Sequence, residues 1–149
     1  MIVFVDTNII AEYLEGRSQS CFIDQFLNYC EREGVLKHLS IGSFYTLTYL
    51  TERHLRKKGF SAPAITEKLR SILTDISKSF IIDGLTQNLL EEAILNQCFI
   101  DLEDSYQYSV AQSIGADILL TINKKDFIGI SNPDIKILSP EEFVNSFIK

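Results

Sequence analysis

Short apolar runs alternate along this chain with longer stretches in which apolar residues return every three or four positions. Ile2 to Val5 is the first run, four β-formers in a row, and it meets polar Asp6, Thr7 and Asn8 at once. Asn8 to Glu15 and Ser20 to Arg32 follow with helical spacing, visible in Phe22, Phe26 and Tyr29/Cys30. Val35 to Ile41 predicts a second strand. Two long helices are then predicted, from Ser43 to about Lys57 and from Ala62 to Ser77. Lys58-Gly59 separates them, and Pro63 suits the first turn of the second. Ser79 to Ile82 predicts a third strand, Thr86 to Gln97 and Glu103 to Ile114 two more helices, Ile118 to Thr121 a fourth strand, and Pro140 to Phe147 a closing helix. Pro63, Pro133 and Pro140 all fall at segment boundaries, and no linker or repeat interrupts the series.

Strands that are almost wholly apolar and alternate with helices imply a sheet covered on both faces. The predicted fold class is therefore α/β, a three-layer α/β/α sandwich around a central, mainly parallel sheet. At 149 residues, 46% of them hydrophobic, the chain is expected to form one domain with its own core. No apolar run approaches the roughly 20 residues that span a bilayer, and Met1 leads straight into a strand without a basic leader, so a cytoplasmic protein with no membrane partner is expected. Cys21, Cys30 and Cys98 are odd in number and lack metal-site spacing, which predicts buried free thiols rather than disulfides or a zinc site.

The formal charge of −6 argues against a protein that coats nucleic acid by overall basicity. Local basic clusters remain, at Arg53/Arg56/Lys57/Lys58 and Lys124/Lys125, each of which would otherwise be a solvated face. Much of the negative charge could sit in one pocket. In parallel sheets the active crevice lies at the carboxyl ends of the strands, and three acidic groups are expected there. Asp6 ends the first strand. Asp101 and Asp104 open the helix through Tyr108 and Ala111. Asn123 and Asp126 follow the fourth strand.

Each alone can be helix capping, since Asp and Asn accept hydrogen bonds from free helix N–H groups and acids suit the first turn. Together they point elsewhere. Converging carboxylates repel, and a fold keeps such a cluster chiefly to bind a hard, oxygen-seeking cation such as Mg2+ or Mn2+. Such ions activate water and stabilise charge during in-line hydrolysis, so phosphodiester cleavage is the natural reaction class.

The same residues resemble the motifs of PIN domains. Val5-Asp6-Thr7-Asn8-Ile9-Ile10 is similar to the opening motif, in which the Asp is a metal ligand and the residue two positions later, here Asn8, supports it. Asp101 to Tyr108, Gly115-Ala116-Asp117, Thr121 to Phe127 and Ser139 to Phe143 resemble the C-terminal half in order, and Ser43 to Leu50 resembles a helix of one branch. The resemblance implies a metal-dependent ribonuclease like the VapC toxins, with RNA as substrate, a cognate antitoxin as partner and a homodimer as a candidate assembly. It assigns metal binding to Asp6, Asp104 and Asp126, with Asn123 sharing the last role and Asp101 assisting. One departure stands out: many members place a Glu early in the helix after strand two, and the nearest positions here are Tyr45 and Thr46. Thr46 is then a candidate substrate contact, and Arg53, Lys124 and Lys125 are candidate guides for the phosphate backbone.

Other classes fit less well. A haloacid-dehalogenase-type phosphatase would place Asp where Asn8 stands. A receiver domain would use Asp83 as phosphoacceptor but needs paired acids after the first strand, and Asp83 is expected in the turn before a helix. No glycine-rich nucleotide-binding motif is present. His38 and His54 lack a Ser/Cys–His setting and are expected to be structural. The alternative from a different class is a catalytically impaired PIN-fold module that binds RNA or protein, supported by the missing Glu.

Overall fold

The structure, a computed structural model, describes residues 1–130 and 134–148. Pro133 lies outside the described residues. Among these, the sheet holds five strands, all parallel: β1 (Ile2–Val5), β2 (Leu36–Ser40), β3 (Ile81–Asp83), β4 (Ile118–Leu120) and β5 (Lys136–Leu138), in the order β3-β2-β1-β4-β5. Val3 pairs with Ile118 on one side of β1, and Phe4 with His38 on the other. The chain winds outward from β1 to β3, then returns to place β4 against the other edge of β1. The carboxyl ends of β1 and β4 thus form the topological switch point, where open parallel sheets leave a crevice.

Alternation in β1 sets the layers. Val3 and Val5 face one side, with Leu39, Ile118 and Leu120. There they meet α1 (Thr7–Leu14), α2 (Ser20–Glu33), α3 (Ile41–Lys57), α4 (Ala62–Ser79) and α7 (Pro140–Phe147), through Ile9, Phe26, Leu47, Ile76 and Phe143. Phe4 and Leu119 face the other side, against Tyr108, Val110 and Ala111 of α6 (Leu102–Ser113) with Phe99 and Phe127. The remaining helix, α5 (Gln87–Leu95), packs on α6. Phe4 and Leu119 are fully buried, each stabilising the fold by about 1.5–3 kcal/mol relative to exposure.

Local chemistry sets the boundaries. Ser40 accepts the Ser43 N–H at 2.9 Å, so α3 starts at Ile41, two residues before the expected Ser43. Gly59, at φ 84°, gives the left-handed turn that separates α3 from α4. Ser139 and Glu142 form a capping box at the start of α7. Three expectations are corrected. β5 carried no strand signal, being a three-residue edge strand with Lys136 at its start. Asp83 ends β3 instead of lying in a turn, because its carboxylate meets His38 Nδ1 at 2.6 Å. Of the cysteines only Cys30 is buried, its thiol pushed up to about 12 by burial; Cys21 and Cys98 are exposed.

Candidate active site

Asp6 follows β1 directly. Its backbone N–H donates to the Leu120 carbonyl at 3.0 Å, so the β1–β4 pairing runs one residue beyond the strands and fixes where the carboxylate stands. The backbone occupies the N-cap position of α1, yet the side chain makes no cap. Instead Oδ2 accepts the Thr121 hydroxyl at 2.8 Å. Capping was the bland explanation for Asp6, and the geometry spends the carboxylate otherwise. Thr121 is fully buried and in turn accepts the Asn123 N–H at 3.0 Å. Asn8 spans the same junction, donating to Thr121 Oγ1 and accepting from the Ile122 N–H, both at 3.4 Å. Asn8 and Thr121 therefore orient Asp6 from the two strand exits. Thr121 was not singled out from sequence; its signal was the one polar residue closing an apolar run.

The first turn of α6 supplies the second group. Asp101 is the N-cap and accepts the Glu103 N–H at 2.8 Å, so capping does account for one of its oxygens. Asp104, one turn on, is half-buried and faces the cleft. Asn123 precedes, and Asp126 lies in, the short 3-10 helix Lys124–Phe127 after β4. Asp6, Asn8, Thr46, Asp101, Asp104, Asn123 and Asp126 line one cleft of about 340 Å3, together with Thr7, Glu15, Arg17 and Glu103. Thr46, not Tyr45, occupies the place facing the acids; Tyr45 is 68% exposed and points away from the core. Glu103, Glu15 and Arg17 were missed. Glu103 stood unclaimed inside a quoted acidic run, and nothing local in the sequence marks Arg17.

The cleft is strongly unbalanced. Six carboxylates line it against one guanidinium among the described residues, and Arg17 is already shared with Glu12 at 3.7 Å and with Glu15. Burial pushes the Asp104 carboxyl up to about 7, helped by Asp6, Asp101, Asp126 and Glu103. Burial likewise pushes Asp6 up to about 6, with Glu103 adding to the rise while Thr121, the Thr7 N–H and Asn8 oppose it. These acids are held together in the cleft against their mutual repulsion.

The predicted basic guides do not reach the cleft walls. Lys124 grips both carboxylate oxygens of Glu142 at 2.7 Å, lowering that carboxyl. Lys125 is exposed. Arg53 is exposed beside Tyr49, Glu52 and Arg56 along α3, two helical turns beyond Thr46. His38 is buried and paired with Asp83, consistent with a structural role.

The donor set suits a hard cation, since carboxylates, an amide oxygen and a hydroxyl are the ligands Mg2+ and Mn2+ prefer. Among the described residues no three His, Cys, Asp or Glu side chains close around a common point. Mg2+ commonly keeps several waters and takes only one or two carboxylates from a protein. Asp6 and Asp104 would hold it, with Asp126 completing the rim.

Comparison of the sequence with protein-family models and with curated proteins finds no match. The fold has clear relatives. A chain in the crystal structure of VapBC2 from Rickettsia felis, bound to a DNA fragment from their promoter, matches with a TM-score of 0.67 and 20% identity, over 93% of this chain and 98% of that one. A chain in VapBC-1 from nontypeable Haemophilus influenzae matches with a TM-score of 0.66 and 18% identity, over 95% and 99%. At this identity the likeness is one of fold, the PIN-like sandwich that the motifs resemble, and it extends over nearly the whole chain.

Proposed function

We propose that this PIN-fold chain is a divalent-metal-dependent endoribonuclease that hydrolyses RNA phosphodiester bonds, and that it is the toxin of a toxin–antitoxin pair. The observation that carries the proposal is the electrostatics of the cleft: Asp104 is pushed up to about 7 by burial and by four neighbouring acids, at the switch point of the sheet. A fold gains nothing in stability from that arrangement, whereas a bound cation would draw the same charges together. When bound, Mg2+ or Mn2+ would polarise the phosphate and make water a better nucleophile. The chain's own residues do the rest. Thr121 and Asn8 hold Asp6 in one orientation, the first turn of α6 presents Asp104 opposite it, and Asn123 and Asp126 close the rim. The full-length likeness to chains of VapBC assemblies supports an antitoxin partner, whose basic or apolar segment would cover the acidic cleft. Arg53 and Lys125, exposed outside the cleft, would meet phosphates of a longer RNA flanking the cut.

A second reading has its own observation. Thr46 stands in the cleft where the resembled family carries Glu, and a hydroxyl supplies no negative charge. On that reading the chain is a PIN-fold module that binds RNA or protein without cutting. Incubation of labelled mixed-sequence RNA with purified protein in Mn2+, Mg2+ or EDTA separates the two. Cutting that requires metal and vanishes in the Asp6→Asn/Asp104→Asn double mutant supports the nuclease. Folded protein that cuts in neither metal supports the binding module, and cutting unchanged in the mutant belongs to a contaminant.

A further inference from the structure

Beneath the acidic cleft lies a buried polar network that joins four elements. Ser40 at the end of β2, Ser43 in α3, Thr7 at the start of α1 and Gln107 in α6 are all at least nine-tenths buried. Ser40 donates its hydroxyl to Ser43 Oγ at 2.9 Å. Thr7 Oγ1 and Ser43 Oγ meet at 2.6 Å, and Gln107 Nε2 reaches both, at 2.7 and 2.5 Å.

With Ser40 donating to Ser43, a proton count sets the direction of the remaining bonds. The triangle of Gln107, Thr7 and Ser43 has three short edges and needs three protons. The amide nitrogen brings two and one hydroxyl brings the third. Turning the amide round would put Oε1 on both hydroxyls, and the pair would have only two protons for three edges. The nitrogen must therefore face them, which explains why buried Gln107 Oε1 has no partner. Ser43 Oγ accepts from Ser40 and from Gln107, which fills its lone pairs, so it donates to Thr7. Thr7 Oγ1 then accepts from Ser43 and Gln107 and is filled too. Its own proton is left over, with no acceptor among the described residues. Thr7 also lines the cleft between Asp6 and Asn8.

We infer that Thr7 is a further substrate-contacting residue, its surplus hydroxyl proton held toward the cleft as a hydrogen-bond donor to a phosphate oxygen of the nucleic acid. Gln107 and Ser43 are positioning residues, because by saturating Thr7 as an acceptor they leave it only the donor role. In a cleft lined with acceptors, a neutral donor preset by buried partners offers an anionic substrate a contact that the carboxylates cannot. This inference rests on the phosphodiesterase reading.

The test compares wild type, Thr7→Val and Thr7→Ser in three measurements. These are RNA cleavage in Mn2+, Mn2+ affinity by calorimetry, and affinity in Ca2+ for single-stranded DNA of the same sequence by fluorescence anisotropy. Val matches the shape of Thr without the hydroxyl. Thr7→Val is expected to lower kcat/KM by about 10- to 100-fold and weaken DNA binding about 10-fold, as for a hydrogen bond to a charged group, with Mn2+ affinity unchanged. Thr7→Ser restores both to near wild type. Wild-type behaviour of Thr7→Val overturns the inference, as does equal loss in Val and Ser, which marks a packing role. A fall in Mn2+ affinity in step with rate also overturns it. If wild type cuts no RNA, the nuclease reading fails by itself. The DNA-binding arm then decides alone: weaker binding by Thr7→Val supports the donor, and equal binding removes it.

Discussion

Two aspartates stand at the carboxyl ends of β3 and β1, on either side of β2, and their surroundings are opposite. Asp83, at the end of β3, meets His38 Nδ1 of β2 at 2.6 Å. Asp6, at the end of β1, meets a neutral hydroxyl and faces Glu103 and Asp104 across the cleft. One carboxylate closes a local hydrogen-bond account with a buried histidine, as a structural group does. The other is buried among like charges and pushed up to about 6. Position at a strand end does not distinguish them. What separates the acid proposed to be functional from the structural one is that its nearest partners leave its charge uncompensated.

Activity gives the widest contrast. Asp6→Asn or Asp104→Asn is expected to reduce metal-dependent RNA cleavage by about 10²–10³-fold, whereas Asp83→Ala leaves kcat within about 3-fold, measured on the same labelled RNA. Stability should reverse the order. Asp83→Ala strands the His38 ring nitrogen in the core and costs about 1–3 kcal/mol in denaturant unfolding. Asp6→Asn keeps an acceptor for Thr121 while removing a repelled charge, and is expected to raise the melting temperature of metal-free protein by roughly 5 °C at pH 8.

A pH series sharpens the contrast. Unfolded, the two cleft carboxyls ionise near their ordinary 3.8; folded and metal-free, near 6 for Asp6 and 7 for Asp104. Between about pH 4 and pH 7 the folded protein therefore holds protons that the unfolded chain has released, so stability falls as pH rises through that window. Differential scanning calorimetry should show this decline in wild type and a flatter profile in Asp104→Asn. The smallest expected effect is a gain. Thr46→Glu adds a carboxylate to the cleft and should tighten Mn2+ several-fold without changing the fold, as read by calorimetry.

The long periodic helices and the apolar runs of β1, β2 and β4 were legible in the sequence because their patterns are dictated by burial on one or both faces. β5 was not, since a three-residue edge strand bearing Lys136 has too few positions to show a period. The acids of the cleft were legible as residues that follow strands or open a helix, and Asp6, Asp101, Asp104, Asn123 and Asp126 do share one cleft. Their division of labour was not. That Asp101 caps α6 while Asp6 caps nothing depends on side-chain directions that one-dimensional spacing does not carry. Lys124 shows the same limit: it looked free beside the motif, but Glu142, eighteen residues later, returns on α7 to hold it. Gln107, inside α6, gave no signal beyond being polar at a position that turns out to be buried, and Ser43 was visible only as the first residue of a helix motif.

The most direct test of the claim that these acids are kept for a cation is calorimetric titration of Mn2+ into metal-free protein at pH 7.5, in two buffers of different ionisation enthalpy. Saturable binding with net proton release, lost in Asp6→Asn/Asp104→Asn and kept in Asp83→Ala, is the predicted result. Folded wild type that takes up no Mn2+ at millimolar concentration, or binding that survives in the double mutant, would contradict it.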